Sequence, residues 1–212
     1  MKELDIIHEL TKGCNLAPKM NGVGDDCALL QGNGIVTTDT MVEGVHFDDR
    51  LSPSDVGWKL VAVNASDIAA MGRYPSWATL NLTLPKAKNK DWLIEFSKGM
   101  RSALSEWDIS LVGGDVVRGH KHVVASMTMG AFGRKKLVWQ HEAAVKNTIW
   151  VTGYLGEAAA GFFDKNEEGL KWLRRPYPPI EFGHNLGNIG IATSMIDISD
   201  GLHQDLTRLC MR

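Results

Sequence analysis

The sequence predicts an α+β fold: a mixed or antiparallel sheet with helices on one face, followed by an incomplete α/β unit. Three observations carry this. Residues 53–71 and 89–107 each set apolar side chains on one helical stripe, and residues 76–84 and 122–132 alternate with the period of two that marks half-buried strands. Beyond residue 147 only two further strands are evident, too few for an independent core. With 212 residues and 44% hydrophobic content, the chain suffices for one large domain or two small ones.

Taken in order, Leu4, Ile7 and Leu10 open the chain at helical spacing until Gly13 and Pro18 break it, and β-like runs follow at 27–30 and 34–38. Val56, Leu60, Val63, Ile68 and Met71 predict an amphipathic helix ended by Gly72 and Pro75, with Asp67 in its last turns. In the next segment Ala78, Leu80, Leu82 and Leu84 oppose Trp77, Thr79, Asn81 and Thr83. Trp92, Leu93, Phe96, Met100, Leu104 and Trp107 then stripe a second helix, and strands at 109–112 and 122–132 follow, with antiparallel pairing favoured by their alternation. The polar, basic stretch 133–148 sets a boundary, dividing the chain into an N-terminal unit, 1–140, and a partial C-terminal unit, 141–212. The latter reads as a strand at 148–152, an Ala-rich helix to about Asp164, a stiff linker Arg175-Pro176-Tyr177-Pro178-Pro179, a helix near 180–192 and a strand-turn-helix over 197–209. So short a second unit predicts a truncated version of something longer.

Composition excludes several classes. A formal net charge of −2 argues against a nucleic-acid or anionic-membrane partner. The one basic triplet, Arg134-Lys135-Lys136, reads as a solvated turn, with a phosphate contact as the alternative. Cys14, Cys27 and Cys210 are widely spaced without a C-x-x-C, which suggests neither a disulfide framework nor a zinc site. No stretch approaches the roughly 18 apolar residues of a membrane span, so a soluble, cytoplasmic protein is expected. There is no G-x-x-x-x-G-K-[ST], hence no P-loop nucleotide site, and no legible Ser/His/Asp or Cys/His nucleophile.

The chemistry lies in aspartates set at turns beside short apolar strands: Gly24-Asp25-Asp26, Thr37-Thr38-Asp39, Ser66-Asp67, Gly113-Gly114-Asp115 and Asp197-Ile198-Ser199-Asp200-Gly201. Between Lys19 and Arg50 there are six acids and no Lys or Arg; between Arg175 and Arg208, Glu181, Asp197, Asp200 and Asp205 are equally unaccompanied. If such carboxylates converge, each close pair repels by roughly 1–4 kcal/mol, so a divalent cation is the natural counter-charge. Each motif has a plainer alternative. The Asp25-Asp26 turn can simply be solvated, Gly113-Gly114-Asp115 can be a glycine hairpin closing a strand, and Ser199 with Asp200 can cap a helix. Asp67 is the strongest candidate, because a carboxylate inside an apolar helix costs free energy unless it is paired or bound. Thr37, Thr38 and Asp39 offer the hard-oxygen mixture that Mg²⁺ accepts. His46 is the one histidine beside this acidic cluster, although a lone histidine is usually structural.

Six segments, 22–30, 37–47, 63–72, 111–119, 151–161 and 195–206, resemble in order the motifs of thiamine-monophosphate kinase, a family of the aminoimidazole ribonucleotide synthetase-like ATP-binding superfamily. The resemblance spans nearly the whole chain. It implies conversion of thiamine monophosphate and ATP to thiamine diphosphate by direct in-line transfer with several Mg²⁺ ions, in a homodimer formed by the N-terminal domains. By motif it implies Asp26, Thr37, Thr38, Asp39, Asp67, Asp115, Asp197 and Asp200 as metal ligands. Gly114, Asp115 and Ser199 would then contact ATP and His46 would contact the thiamine substrate, with no protein nucleophile. Two departures stand out. Gln140 occupies the place of an ATP-binding arginine, which leaves Lys135, Lys136 or nothing to replace it, and the family runs further. The alternative reading is a catalytically incomplete fragment that binds nucleotide and dimerises.

Overall fold

A computed structural model describes residues 3–15, 20–133, 136–164 and 166–211. Its elements are α1 (Glu3–Thr11), β1 (Ala28–Leu29), β2 (Ile35–Val42), α2 (Pro53–Ala70), β3 (Trp77–Pro85), α3 (Lys90–Glu106), β4 (Ser110–Gly119), β5 (Val124–Ala131), α4 (Glu157–Phe163), α5 (Glu167–Arg174), α6 (Ile180–Ile189) and α7 (Leu202–Cys210). Of the basic triplet, Arg134 and Lys135 lie outside the described residues, as does Pro18.

The five strands form one mixed sheet in the order β1-β2-β5-β3-β4. The β3–β4 pair is parallel and every other pair antiparallel, so the α+β expectation holds. A parallel neighbour cannot be reached by a tight turn, and α3 supplies the crossover from β3 to β4. Ala125, Met127, Met129 and Ala131 of β5, with Ala78 and Leu82 of β3, bury one sheet face, whereas Thr38 and Thr40 of β2 emerge on the other. Alternation along β2 therefore turns Thr37 and Asp39 inward, towards α2.

The segment 53–71 forms a helix because Ser52 and Asp55 make a capping box and Pro53 occupies a position whose N–H would go unused. Leu60, Val61, Ala65 and Ile68 on α2 are fully buried. The helix is enclosed further because Gly57 and Gly99 let α2 and α3 touch backbone to backbone. A Cβ at Gly99 would stand 1.8 Å from the Ser54 carbonyl oxygen, and one at Gly57 would stand 2.2 Å from that of Phe96.

Several expected elements differ. Strand β4 runs to Gly119, past the expected end at 112, and Gly113-Gly114-Asp115 lies inside it. An edge strand needs only its one neighbour's backbone, so hydrophobic alternation does not mark its length; all of its side chains up to Arg118 are exposed. Strands expected at 148–152 and just before residue 200 do not form. Ile149 and Trp150 are exposed and meet no strand among the described residues with which a ladder could form. Helix α5 went unrecognised, being eight residues long with only a Leu170-Trp172-Leu173 apolar signal. The 175–179 linker is docked: Trp58 Nε1 donates to the Pro176 carbonyl at 2.9 Å, and Tyr177 packs on Trp58 and Trp107. Leu137, Val138 and Gln140 are buried, and the Val138 N–H donates to the Met71 carbonyl, so the chain leaving the sheet is tied to the end of α2. Among the described residues no helix is long and apolar enough to cross a membrane.

Gly99→Ala is expected to overpack the α2–α3 contact and cost about 1–3 kcal/mol or more, read from the urea midpoint. Ser102→Ala, on the exposed side of α3, should stay within about 0.5 kcal/mol of the parent.

Candidate metal centre

The site forms where the inner end of β2, the polar turn of α2, the 22–27 loop and the turn before α7 meet. Reciprocal backbone bonds between Asn21 and Leu29 close the 22–27 loop and display Asp25 and Asp26. In α2, Asn64 and Asp67 lie three residues apart and so share a face. Asn64 is completely buried. Its Nδ2 donates to the Leu60 carbonyl at 2.9 Å, and its Oδ1 accepts the Asp39 N–H at 3.0 Å, which ties β2 to the helix. Thr37 Oγ1 donates to Asp67 Oδ2 at 2.6 Å and sets that carboxylate's rotamer.

Asp26, Asp67 and Asp197 each bring a carboxylate oxygen within 4.8 Å of the other two. Burial and mutual repulsion act together on them. Burial, then the Asp197 charge, pushes Asp26 up to about 8, against a bond from the Gln140 side chain. The same two causes push Asp67 up to about 9, opposed by the Thr37 bond. Burial first and then Asp205, Asp39 and Asp200 raise Asp197 to about 6, with Ser66 donating to it. Asp39 is raised by burial and by Asp200, while nearby His46 opposes the shift. The buried Cys27 thiol beneath them is pushed up by burial and by the surrounding aspartates.

One feature of this set points to a cation. Asp26 Oδ2 is buried without a hydrogen-bond partner, and a buried polar oxygen left unpaired is costly. Three convergent carboxylates with a threonine hydroxyl beside them form an all-oxygen donor set suited to Mg²⁺ or Mn²⁺. The residues present therefore fit a divalent cation.

The remaining expected residues fall in three places. Asp39 and Asp200 lie within electrostatic reach of the triad and His46 within reach of Asp39, His46 Nδ1 accepting the Val42 N–H and Asp200 being paired with Arg208 at 2.7 Å. Ser199 is exposed on the same turn as Asp200. Thr38 points its hydroxyl to the outer sheet face, where Thr128 Oγ1 donates to it. Gly114 and Asp115 lie on the far edge strand, and the register Asp115–Asn81–Ser126–Thr40 puts Asp115 on that outer face too. Three strand spacings, about 14 Å, separate its row from β2. Gly114 must be glycine, since at φ 151° a Cβ would lie 1.9 Å from the Leu80 carbonyl oxygen.

Gln140, at the place of the arginine that the resemblance leads one to expect, is built into the acidic cluster. It is buried, its N–H donates to Asp25 Oδ2, its carbonyl accepts from Ser194, and its side chain bonds Asp26. Lys136 is tied to Glu142 at 2.7 Å, and Lys135 lies outside the described residues. Sequence reasoning missed Asn64 and the role of Asp25. A polar residue one turn before Asp67 on an apolar helix was the available signal for Asn64; nothing local marked Asp25.

Known proteins resemble this chain in sequence and in fold. The model of the AIR synthase related protein family, N-terminal domain, matches residues 24–134. A thiamine-monophosphate kinase of Buchnera aphidicola subsp. Acyrthosiphon pisum is 39% identical over 206 residues, covering 90% of this chain and 62% of the relative. AaThiL, solved in complex with AMPPCP and TMP, superposes with a TM-score of 0.86 at 27% identity over 99% of this chain and 68% of its own. The thiamine-monophosphate kinase of Stenotrophomonas maltophilia K279a superposes with a TM-score of 0.77 at 35% identity, over 99% of this chain and 70% of its own. This chain thus spans about three fifths of the length of several curated relatives that it matches.

A carboxyl whose pKa in the fold lies above its unfolded value near 4 holds its proton more tightly when folded, so it favours the fold at low pH and loses that contribution as pH climbs through the raised value. From the values of about 8, 9 and 6 for Asp26, Asp67 and Asp197, the melting temperature of the metal-free protein should fall between about pH 5 and pH 9. Asp67→Asn should flatten that fall. Mg²⁺ should raise the melting temperature more at the alkaline end, where the ligands are ionised.

Proposed function

Because the chain belongs to the thiamine-monophosphate kinase family, we propose that it transfers the γ-phosphoryl group of ATP to a phosphate oxygen of thiamine monophosphate. The O–P bond to the departing ADP breaks as the bond to the acceptor oxygen forms, giving thiamine diphosphate. The observation that carries this reading is the half-buried triad Asp26, Asp67 and Asp197 with its buried, unpartnered Asp26 oxygen. Such a transfer needs positioning and charge neutralisation, and it needs no protein nucleophile. Bound Mg²⁺ supplies that neutralisation.

In this proposal Asp26, Asp39, Asp67, Asp197 and Asp200 hold the cations, with Thr37 orienting Asp67 and Gln140 orienting Asp26. Ser199, exposed beside Asp200, serves ATP, and His46, at the rim near Asp39, serves the thiamine moiety. Division into units 1–140 and 141–212 would set the two acid-bearing halves on opposite sides of the substrates, in a cytoplasmic enzyme.

Gly114 and Asp115 lie too far along the sheet to share a cation with their own chain's triad, and Thr38 faces away from it. We assign them to a nucleotide held across a homodimer. Support comes from β4, where Leu111, Val112, Val116 and Val117 are exposed at the sheet edge, a surface suited to a second copy.

Purified protein supplied with ATP, Mg²⁺ and thiamine monophosphate is expected to form thiamine diphosphate, and Asp67→Asn to lower the rate by about 10²-fold or more. Nucleotide binding without product would instead support the binding-only fragment. For the shared site, Asp67→Asn and Asp115→Asn proteins, each inactive alone, should regain about a quarter of parental activity when mixed and re-associated, since half the dimers are mixed and each mixed dimer holds one intact site. No recovery would return Asp115 to its own chain's site.

A further inference from the structure

We propose that Asp205 is a positioning residue that holds the Asp197–Gly201 turn in its cation-receiving shape without itself touching the cation. The proposal rests on the metal-cage reading above. Asp205 lies in the first turn of α7 and is 1% exposed, the most deeply buried carboxylate among the described residues. Its Oδ2 accepts three consecutive backbone N–H groups, those of Ser199, Asp200 and Gly201, each at 3.1 Å. Its Oδ1 accepts from Arg208 Nη1 at 3.0 Å.

Three successive amides converging on one oxygen form a concave anion nest. Here the anion is the protein's own, and it clamps the backbone from behind. The arrangement needs Gly201, whose φ of 105° and ψ of 151° turn the third N–H towards the carboxylate in a conformation that L side chains rarely adopt. No side chain caps α7 at Gly201, so Asp205 is what binds the amides entering the helix.

The clamp sits between the two expected ligands. Asp197 precedes the clamped amides and belongs to the triad, while Asp200 carries one of them. Ser199, Asp200 and Gly201 are exposed, so packing does little to hold their backbone. Arg208 closes the unit by bridging Asp205 Oδ1 and Asp200 Oδ2, and Gln204 Nε2 adds a bond to Asp200 at 3.1 Å. With Oδ2 filled by three donors and Oδ1 engaged by a guanidinium, Asp205 has no oxygen to offer a cation. It acts on the site through the backbone that carries Asp197 and Asp200, in the way that groups behind a ligand shell orient the ligands.

Two measurements that do not depend on turnover test this: amide exchange of 199–201 in the metal-free protein, and Mn²⁺ binding followed by electron paramagnetic resonance. Asp205→Ala should speed exchange of these amides at least about tenfold and weaken Mn²⁺ binding by about 10- to 100-fold. Asp205→Asn keeps a carbonyl oxygen for the amides, so it should retain part of both. If only the Asn variant folds, protection and affinity should fall together. Parental Mn²⁺ affinity with freed amides would overturn the proposal, as would lost affinity with protected amides, which would make Asp205 a direct ligand. Neither readout uses thiamine monophosphate, so failure of the kinase reading would be distinguishable from failure of this one.

Discussion

The burial of α2 on nearly every side governs where Asp67 can be. Leu60, Val61, Ala65 and Ile68 are held by the sheet and α3, and the helix has no freedom to roll or slide. One turn of it is nevertheless polar, and Asn64 and Asp67 project from that turn towards the inner end of β2. Asn64 fastens the Asp39 backbone and Thr37 fastens the Asp67 carboxylate, so helix and strand share a single local geometry. A carboxylate in this position is partly withdrawn from water and close to other acids, which makes its charge costly without a positive partner.

That cost has a structural counterpart in the Asp26 loop and the turn before α7. Both are irregular segments that bring acids up to an already acidic helix, and both are tied by backbone bonds to carboxylates that stand outside the triad. Asp25 accepts the N–H groups of Asp26 and Gln140, and Asp205 accepts three N–H groups of the last turn. Carboxylates bound to backbone amides thus hold in place the segments that carry the triad carboxylates. The protein assembles repelling charges by making other charges do structural work.

The elements read correctly from the chain were those with a buried face. Helices α2 and α3 and strands β3 and β5 each alternate or stripe because one side meets the core. The misread elements lack such a face. Edge strand β4 is exposed almost throughout and its length was invisible, and residues 148–152 have strand-like residues but no pairing strand among the described residues. The site behaved likewise. Asp67 announced itself as a carboxylate in an apolar helix, whereas Asn64 and Asp25 become meaningful only when their partners, 25 and 115 residues away in sequence, are known.

By itself the sequence determined the acidic inventory, the helices that carry its most informative member and the family to which the chain belongs, because these follow from local composition, periodicity and ordered motifs. Only the tertiary structure decided which acids meet. It joined Asp26, Asp67 and Asp197, turned Thr38 to the opposite face and set Asp115 on the far edge of the sheet. The reason is that side-chain facing depends on strand register and on the order of strands in the sheet, and both are properties of pairing between segments that no single segment encodes.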